Sequence, residues 1–183
     1  MKKLIGLICI PLLFASCSVA LFDKVPGIDQ KEFPASLQGD YYLKVPGGLF
    51  KKNMNKDTLF FTILPKAYVV KDSTDMERKS LDKDNKLSLV NGVYYVIAQR
   101  DEEFPLYWKY SFVEPTKKGA KIYFVIGERE HSPLNKYFRS KLVTVKNNGD
   151  SVFVYKSDDV QLAKYFEKVL KKTDALEVIR IKK

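Results

Sequence analysis

Beyond Leu37 the chain alternates short runs of β-branched and aromatic residues with Gly, Asn, Asp and Pro, the grammar of strands and turns. Ten strands are predicted: Tyr41 to Val45, Thr58 to Leu64, Ala67 to Val70, Lys86 to Val90, Val93 to Gln99, Phe104 to Val113, Ala120 to Ile126, Lys141 to Lys146, Val152 to Lys156 and Leu176 to Ile181. Asn91-Gly92 and Asn148-Gly149 supply the positive φ values of tight hairpins, and Lys118-Gly119 predicts a third. Such short connections leave no room for crossover helices, so the sheet is expected to be mainly antiparallel. The polar stretch Lys71 to Asn85 reads as a loop.

One segment breaks the two-residue period. Val160, Ala163, Phe166, Val169 and Leu170 recur at helical spacing between Asp158 and Lys172, with Asp158 placed to cap the first amides. The Phe166 side is expected to pack on the sheet. In the strand from Phe104 to Val113, the residues Phe104, Leu106, Trp108, Tyr110 and Phe112 fall on one side and should face the core. Val93 to Ala98 and Ile122 to Ile126 carry apolar residues on both sides, which suits strands covered on both faces. The fold class is mainly β: an antiparallel meander forming a barrel-like or strongly curved sheet, with one C-terminal amphipathic helix followed by a final strand. A two-sheet sandwich is the alternative.

The N-terminus is of another kind. Lys2 and Lys3 precede an apolar run from Leu4 to Phe14, too short to span a bilayer, and Ala15, Ser16 and Cys17 follow. Phe14-Ala15-Ser16-Cys17 resembles the lipobox of bacterial lipoproteins, although Phe stands where Leu is commonest. The resemblance implies a signal peptide over residues 1–16, cleavage before Cys17 and acylation of that cysteine, the palmitate-type lipid serving as membrane anchor. Residues 17–37, with Pro26-Gly27 and Pro34, read as a lipidated tether, and residues 38–183 as a single β-rich domain. Ser18, rather than Asp, follows the cysteine, which by the same resemblance favours the outer membrane; the face of that membrane stays open.

Charge and cysteine count follow from this division. Loss of Lys2 and Lys3 lowers the formal charge from +10 to +8 on the remaining 167 residues. For an exported, acylated protein, such basicity meets anionic headgroups and acidic glycans before any nucleic acid. Cys9 leaves with the signal and Cys17 carries lipid, so no disulfide or thiol ligand is expected in the domain.

Catalytic motifs are scarce. His131, the single histidine, lies among Glu128, Glu130 and Pro133 in a loop-like stretch without metal-ligand spacing. No serine sits in a nucleophile elbow. Asp101-Glu102-Glu103 reads as a charged hairpin connection and Asp158-Asp159 as helix capping, and Pro46-Gly47-Gly48 with Lys51, Lys52 and Lys56 lacks the remainder of a phosphate loop. No catalytic residue, metal or cofactor is therefore expected.

Gly39-Asp40-Tyr41 resembles the Gly-x-Trp opening of lipocalin barrels, with Tyr for Trp. The resemblance implies an up-and-down barrel that holds a small apolar molecule. Two functions then compete. The first is a non-enzymatic interaction or assembly module of the bacterial envelope, meeting a protein or glycan partner through a surface rich in Tyr and Lys. The alternative is a lipocalin-like carrier whose cavity is lined by residues such as Trp108 and Tyr110.

Overall fold

A computed structural model describes residues 20–44, 59–71, 75–125, 133–144, 151–173 and 175–181. Within them lie thirteen strands: β1 (Leu21–Phe22), β2 (Ile28–Gln30), β3 (Gly39–Lys44), β4 (Phe60–Leu64), β5 (Ala67–Lys71), β6 (Met76–Ser80), β7 (Asn85–Val90), β8 (Tyr94–Arg100), β9 (Trp108–Thr116), β10 (Gly119–Phe124), β11 (Ser140–Thr144), β12 (Ser151–Tyr155) and β13 (Leu176–Arg180). One helix, α1 (Asp159–Lys168), precedes β13. The predicted class is observed: a curled, mainly antiparallel half-barrel with a late helix and a closing strand.

The sheet branches at β9. One edge of β9 pairs β8, then β7 and β2; the other pairs β10, which leads through β13, β3, β4 and β5 to β6. Where β10 leaves off, β1 takes its place, with Phe22 opposite Trp108 and the strand running parallel to β12, which in turn pairs β11. At the β7–β8 hairpin, Asn91 and Gly92 have φ of 52° and 68°, the pair of positive values that the Asn-Gly dipeptide supplies. Gly119 serves a different need, since a Cβ there would lie 1.9 Å from the Val178 carbonyl oxygen. Asn148-Gly149 lies outside the described residues.

Both faces of the central strands are covered, as their double-sided apolar character requires. On one face α1 lays Phe166 against Phe112, stacked at 4.6 Å, with Tyr94 at 4.8 Å and Tyr123 edge-on at 5.1 Å. Asp158 caps the helix by accepting from the Gln161 amide. A polar rim closes over this core: Tyr94 donates to Glu167, Tyr123 to Glu114, and Lys171 bridges both carboxylates. On the other face lies a second cluster around Leu37, Tyr41, Val113, Ala120 and Val178.

Several expectations require correction. Residues 20–37 are not free tether. Leu21, Phe22, Phe33 and Leu37 are buried, and Phe22 stacks on Tyr110 at 4.0 Å. Strands of two or three residues carry too little periodicity to be seen in sequence, which is why β1 and β2 escape notice. The loop expected from Lys71 to Asn85 contains β6, whose polar residues suit a sheet edge. Strand β9 starts at Trp108, because Asp101 accepts from the Glu103 and Phe104 amides and folds the preceding residues into a turn. Leu106, expected in the core, sits in that turn and is 75% exposed. Val160, expected on the buried helix face, is 55% exposed, and Leu162 and Tyr165 are buried instead.

Candidate functional site

Register sorts strand residues onto two faces, and the Gln99–Tyr68 hydrogen bond between the distant strands β8 and β5 marks the concave one. Residues directly opposite in an antiparallel sheet share a face. Leu43 opposes Val178, which opposes Ala120; Tyr95 opposes Val113, which opposes Ile122; and Tyr41 opposes Phe61, which opposes Val70. All lie on the side away from α1. Leu37, Tyr41, Val113, Ala120 and Val178 form a closed floor, whereas Leu43, Phe61, Ile63, Tyr95, Ile97 and Ile122 are only half-buried around it. A lining that is apolar, concave and incompletely covered is the common character of small-molecule sites.

Polar groups on this face are few and tie strands together. The Gln99 amide nitrogen donates to the Tyr68 hydroxyl at 2.6 Å and to Asn85 Oδ1 at 3.3 Å, linking β8 to β5 across the open side of the curl. Burial pushes the Tyr68 hydroxyl pKa well above its ordinary value, with Glu77 adding to the effect, so it stays a neutral hydrogen-bonding group. At the floor, Tyr41 donates to the Leu37 carbonyl at 2.6 Å, and Arg180 from β13 lies over the Tyr41 ring at 5.3 Å. Arg180 also donates to the Tyr41 hydroxyl at 2.7 Å and to the Ser36 carbonyl. Gly39 begins β3 at φ 143°, a conformation that favours glycine.

Trp108 and Tyr110 lie elsewhere. Both point to the α1 side, where Trp108 is 6% exposed beneath Arg100 and Tyr110 is 2% exposed against Phe22. The Tyr110 hydroxyl donates to the Lys24 carbonyl and lies 3.1 Å from Ser157 Oγ. They are packing residues of the first core and not walls of the concave face. The residues that do line it were visible only as the second apolar side of strands covered on both faces; the alternation of Tyr95 and Ile97 with Val96 and Ala98 was the available signal.

The outer surface has two features of its own. Along one row of the sheet, Ile179, Tyr42, Phe60, Lys71 and Met76 are successive cross-strand neighbours, with Tyr42, Phe60 and Met76 exposed. Separately, a concavity of about 300 Å³ lies on β1, β11 and β12, lined by Asp23, Arg139, Ser140, Lys141, Val154, Tyr155 and Lys156.

The other sequence candidates divide cleanly. Asp101 is not one of a pair of free acids: besides its two amide contacts it meets Lys109 at 2.6 Å and is buried. Asp158 caps α1 and Asp159 accepts from the Gly27 amide at 2.9 Å. His131, Cys17, Pro46-Gly47-Gly48, Lys51, Lys52 and Lys56 lie outside the described residues. No protein-family model, curated protein or solved structure matches the chain.

Proposed function

We propose that this chain is a non-enzymatic bacterial lipoprotein, anchored in the outer membrane through an acylated Cys17, whose half-barrel carries a small apolar ligand on its concave face. The observation that supports this is the half-buried ring of Leu43, Phe61, Ile63, Tyr95, Ile97 and Ile122 above a closed floor. On this reading the binding surface is on the side of the sheet opposite to Trp108 and Tyr110. The anchor rests on the lipobox resemblance of Phe14-Ala15-Ser16-Cys17.

Native mass spectrometry of the full chain carrying Cys17→Ala, purified without detergent, tests the ligand. A reproducible apolar adduct that disappears in Ile97→Asp is the expected result, and a clean protein mass in several preparations refutes the carrier. The same substitution tests the anchor, because Cys17→Ala should end incorporation of labelled fatty acid and release the protein from membranes.

A docking function has its own support in the exposed Tyr42–Phe60–Met76 row, which offers a partner protein an apolar and aromatic strip flanked by Lys71. A photocrosslinker at position 60 should then give one discrete adduct in intact cells, abolished by Met76→Asp. Absence of that adduct removes the docking reading and leaves the carrier untouched.

A further inference from the structure

We infer that the concavity on β1, β11 and β12 is a second binding site, separate from the concave apolar face, and that it takes a phosphate monoester. Its wall is built from cross-strand neighbours. The Lys156 amide donates to the Arg139 carbonyl at 2.8 Å, which places these two residues opposite each other where β11 and β12 meet. Lys141, two residues on from Arg139, shares its face and opposes Val154. Three cations thus crowd one side of a two-strand ribbon. Like charges directly opposite each other are destabilising in a sheet.

Several other cations of the chain do meet a carboxylate. Arg100 faces Asp84 at 3.3 Å, Lys109 faces Asp101 at 2.6 Å, Lys121 faces Glu177 at 4.0 Å and Lys171 faces Glu114 at 3.1 Å. Among the described residues, no carboxylate comes within 4.0 Å of the side chains of Arg139, Lys141 or Lys156. Lys141 lies instead over the Tyr107 ring at 5.9 Å. Among the described residues the acid on the wall is Asp23, held in place by accepting from the Ser157 amide at 2.8 Å. Among the described lining residues, three positive side chains and one negative leave a surplus of two positive charges.

That surplus selects the ligand class. A phosphate monoester carries close to two negative charges at neutral pH, and its oxygens match the planar fork of an arginine flanked by lysines. A volume of about 300 Å³ sits at the lower end of ligand pockets, enough for a phosphorylated sugar or the headgroup of a phosphorylated lipid. Val154, on the same face as the three cations, gives the site an apolar floor, and Asp23 offers an acceptor to a ligand hydroxyl.

The test uses the full chain carrying Cys17→Ala and two probes. Calorimetric titration with glucose 6-phosphate, against glucose, reads the soluble source; flotation with phosphatidylcholine vesicles, with and without phosphatidic acid, reads the headgroup. Binding of either phosphorylated probe should weaken at least about tenfold when Arg139→Gln and Lys156→Gln are combined, since each removes a charge-assisted hydrogen bond. Lys117→Gln with Lys118→Gln removes the same charge at the β9–β10 turn and should change binding less than twofold. Because the cations oppose each other, the Arg139/Lys156 double variant should melt no lower than the parent without ligand. Glucose 6-phosphate binding assigns a soluble ligand, and binding to phosphatidic acid vesicles alone assigns a headgroup. Failure of both probes, or equal loss in the Lys117/Lys118 control, overturns the inference. Neither result bears on the apolar adduct, so the two sites stand or fall separately.

Discussion

Strands β8 and β9 give the sharpest test, because adjacent residues there report on two different environments. Phe112 is fully buried beneath Phe166, whereas Ile97, on the neighbouring strand and the opposite face, is half-buried on the concave side. Truncating a buried Phe to Ala costs about 3–5 kcal/mol, and the stacked contact at 4.6 Å places Phe112→Ala toward the upper part of that range. Ile97→Ala removes three carbons that are only partly covered. Half of the usual burial and cavity penalty gives about 1–2 kcal/mol. At about 2–4 °C per kcal/mol for a chain of this size, the melting temperature should fall by roughly 10 °C for Phe112→Ala and about 4 °C for Ile97→Ala. Ligand affinity should follow the reverse order. Loss of roughly 1 kcal/mol of apolar contact weakens an apolar fluorescent probe about fivefold in Ile97→Ala. The more conservative Phe112→Leu should leave probe binding unchanged. Urea unfolding with a constant slope and a probe titration on the same samples make the measurement. If Ile97→Ala costs as much stability as Phe112→Ala, and the parent chain takes up no probe, the concave face is a filled core and the carrier reading fails.

Two further outcomes follow from local geometry. Gly119→Ala places a methyl group 1.9 Å from the Val178 carbonyl oxygen, a backbone atom that cannot swing aside, so β10 and β13 must separate; a loss of about 3 kcal/mol or more in urea unfolding is expected, and a neutral result would mean that this strand pair is not as close as described. Burial and the hydrogen bond to Glu114 push the Tyr123 hydroxyl pKa up to about 12 from its ordinary 10. The folded state therefore holds its proton where the unfolded state releases it, so this contribution is fully present below pH 10 and is lost as pH rises toward 12. Tyr123→Phe should flatten that alkaline decline, read by denaturant midpoints alongside phenolate absorbance.

How much was legible depended on element length and on pairing. Ten strands and the helix announce themselves because each carries enough residues to establish a period, and Asn91-Gly92 fixes one hairpin by its φ requirement alone. Leu21-Phe22 carries no period, and its burial comes from a parallel pairing with β12 more than a hundred residues away. Alternation also correctly divided β9 into two faces from Trp108 onward, but it could not say which face a ligand would see. Trp108 and Tyr110 are large aromatic residues. Their size is what fits them for the packed core, where Tyr110 fills the space beside Phe22. The half-buried residues opposite are ordinary aliphatic and aromatic strand residues, and only the register across β3, β4, β8 and β10 gathers them.

The division of labour between the two faces has a physical origin. A strand apolar on both sides must be covered twice, and here α1 with the β1–β12 arm covers one side using large rings: Phe22, Phe138, Tyr155 and Phe166. No second helix covers the other side among the described residues, so the sheet covers it by curling until Tyr68 on β5 reaches Gln99 on β8. A barrel of about eight strands encloses a space that its side chains only just fill, or one that admits a single small ligand, depending on residue volume. Along the middle of this curl the inward residues are small: Val113, Ala120 and Val178, with the larger Phe61, Ile63, Tyr95 and Ile97 set around them. The larger ones pack against this cluster and remain half-buried at its margin. On the carrier reading an apolar ligand covers these half-buried side chains, and Ala120→Phe puts a ring in its place. Because Ala120 is buried, the larger ring should cost about 1–3 kcal/mol of stability and displace the probe; if probe binding survives in the folded variant, the ligand does not sit over the β10 floor.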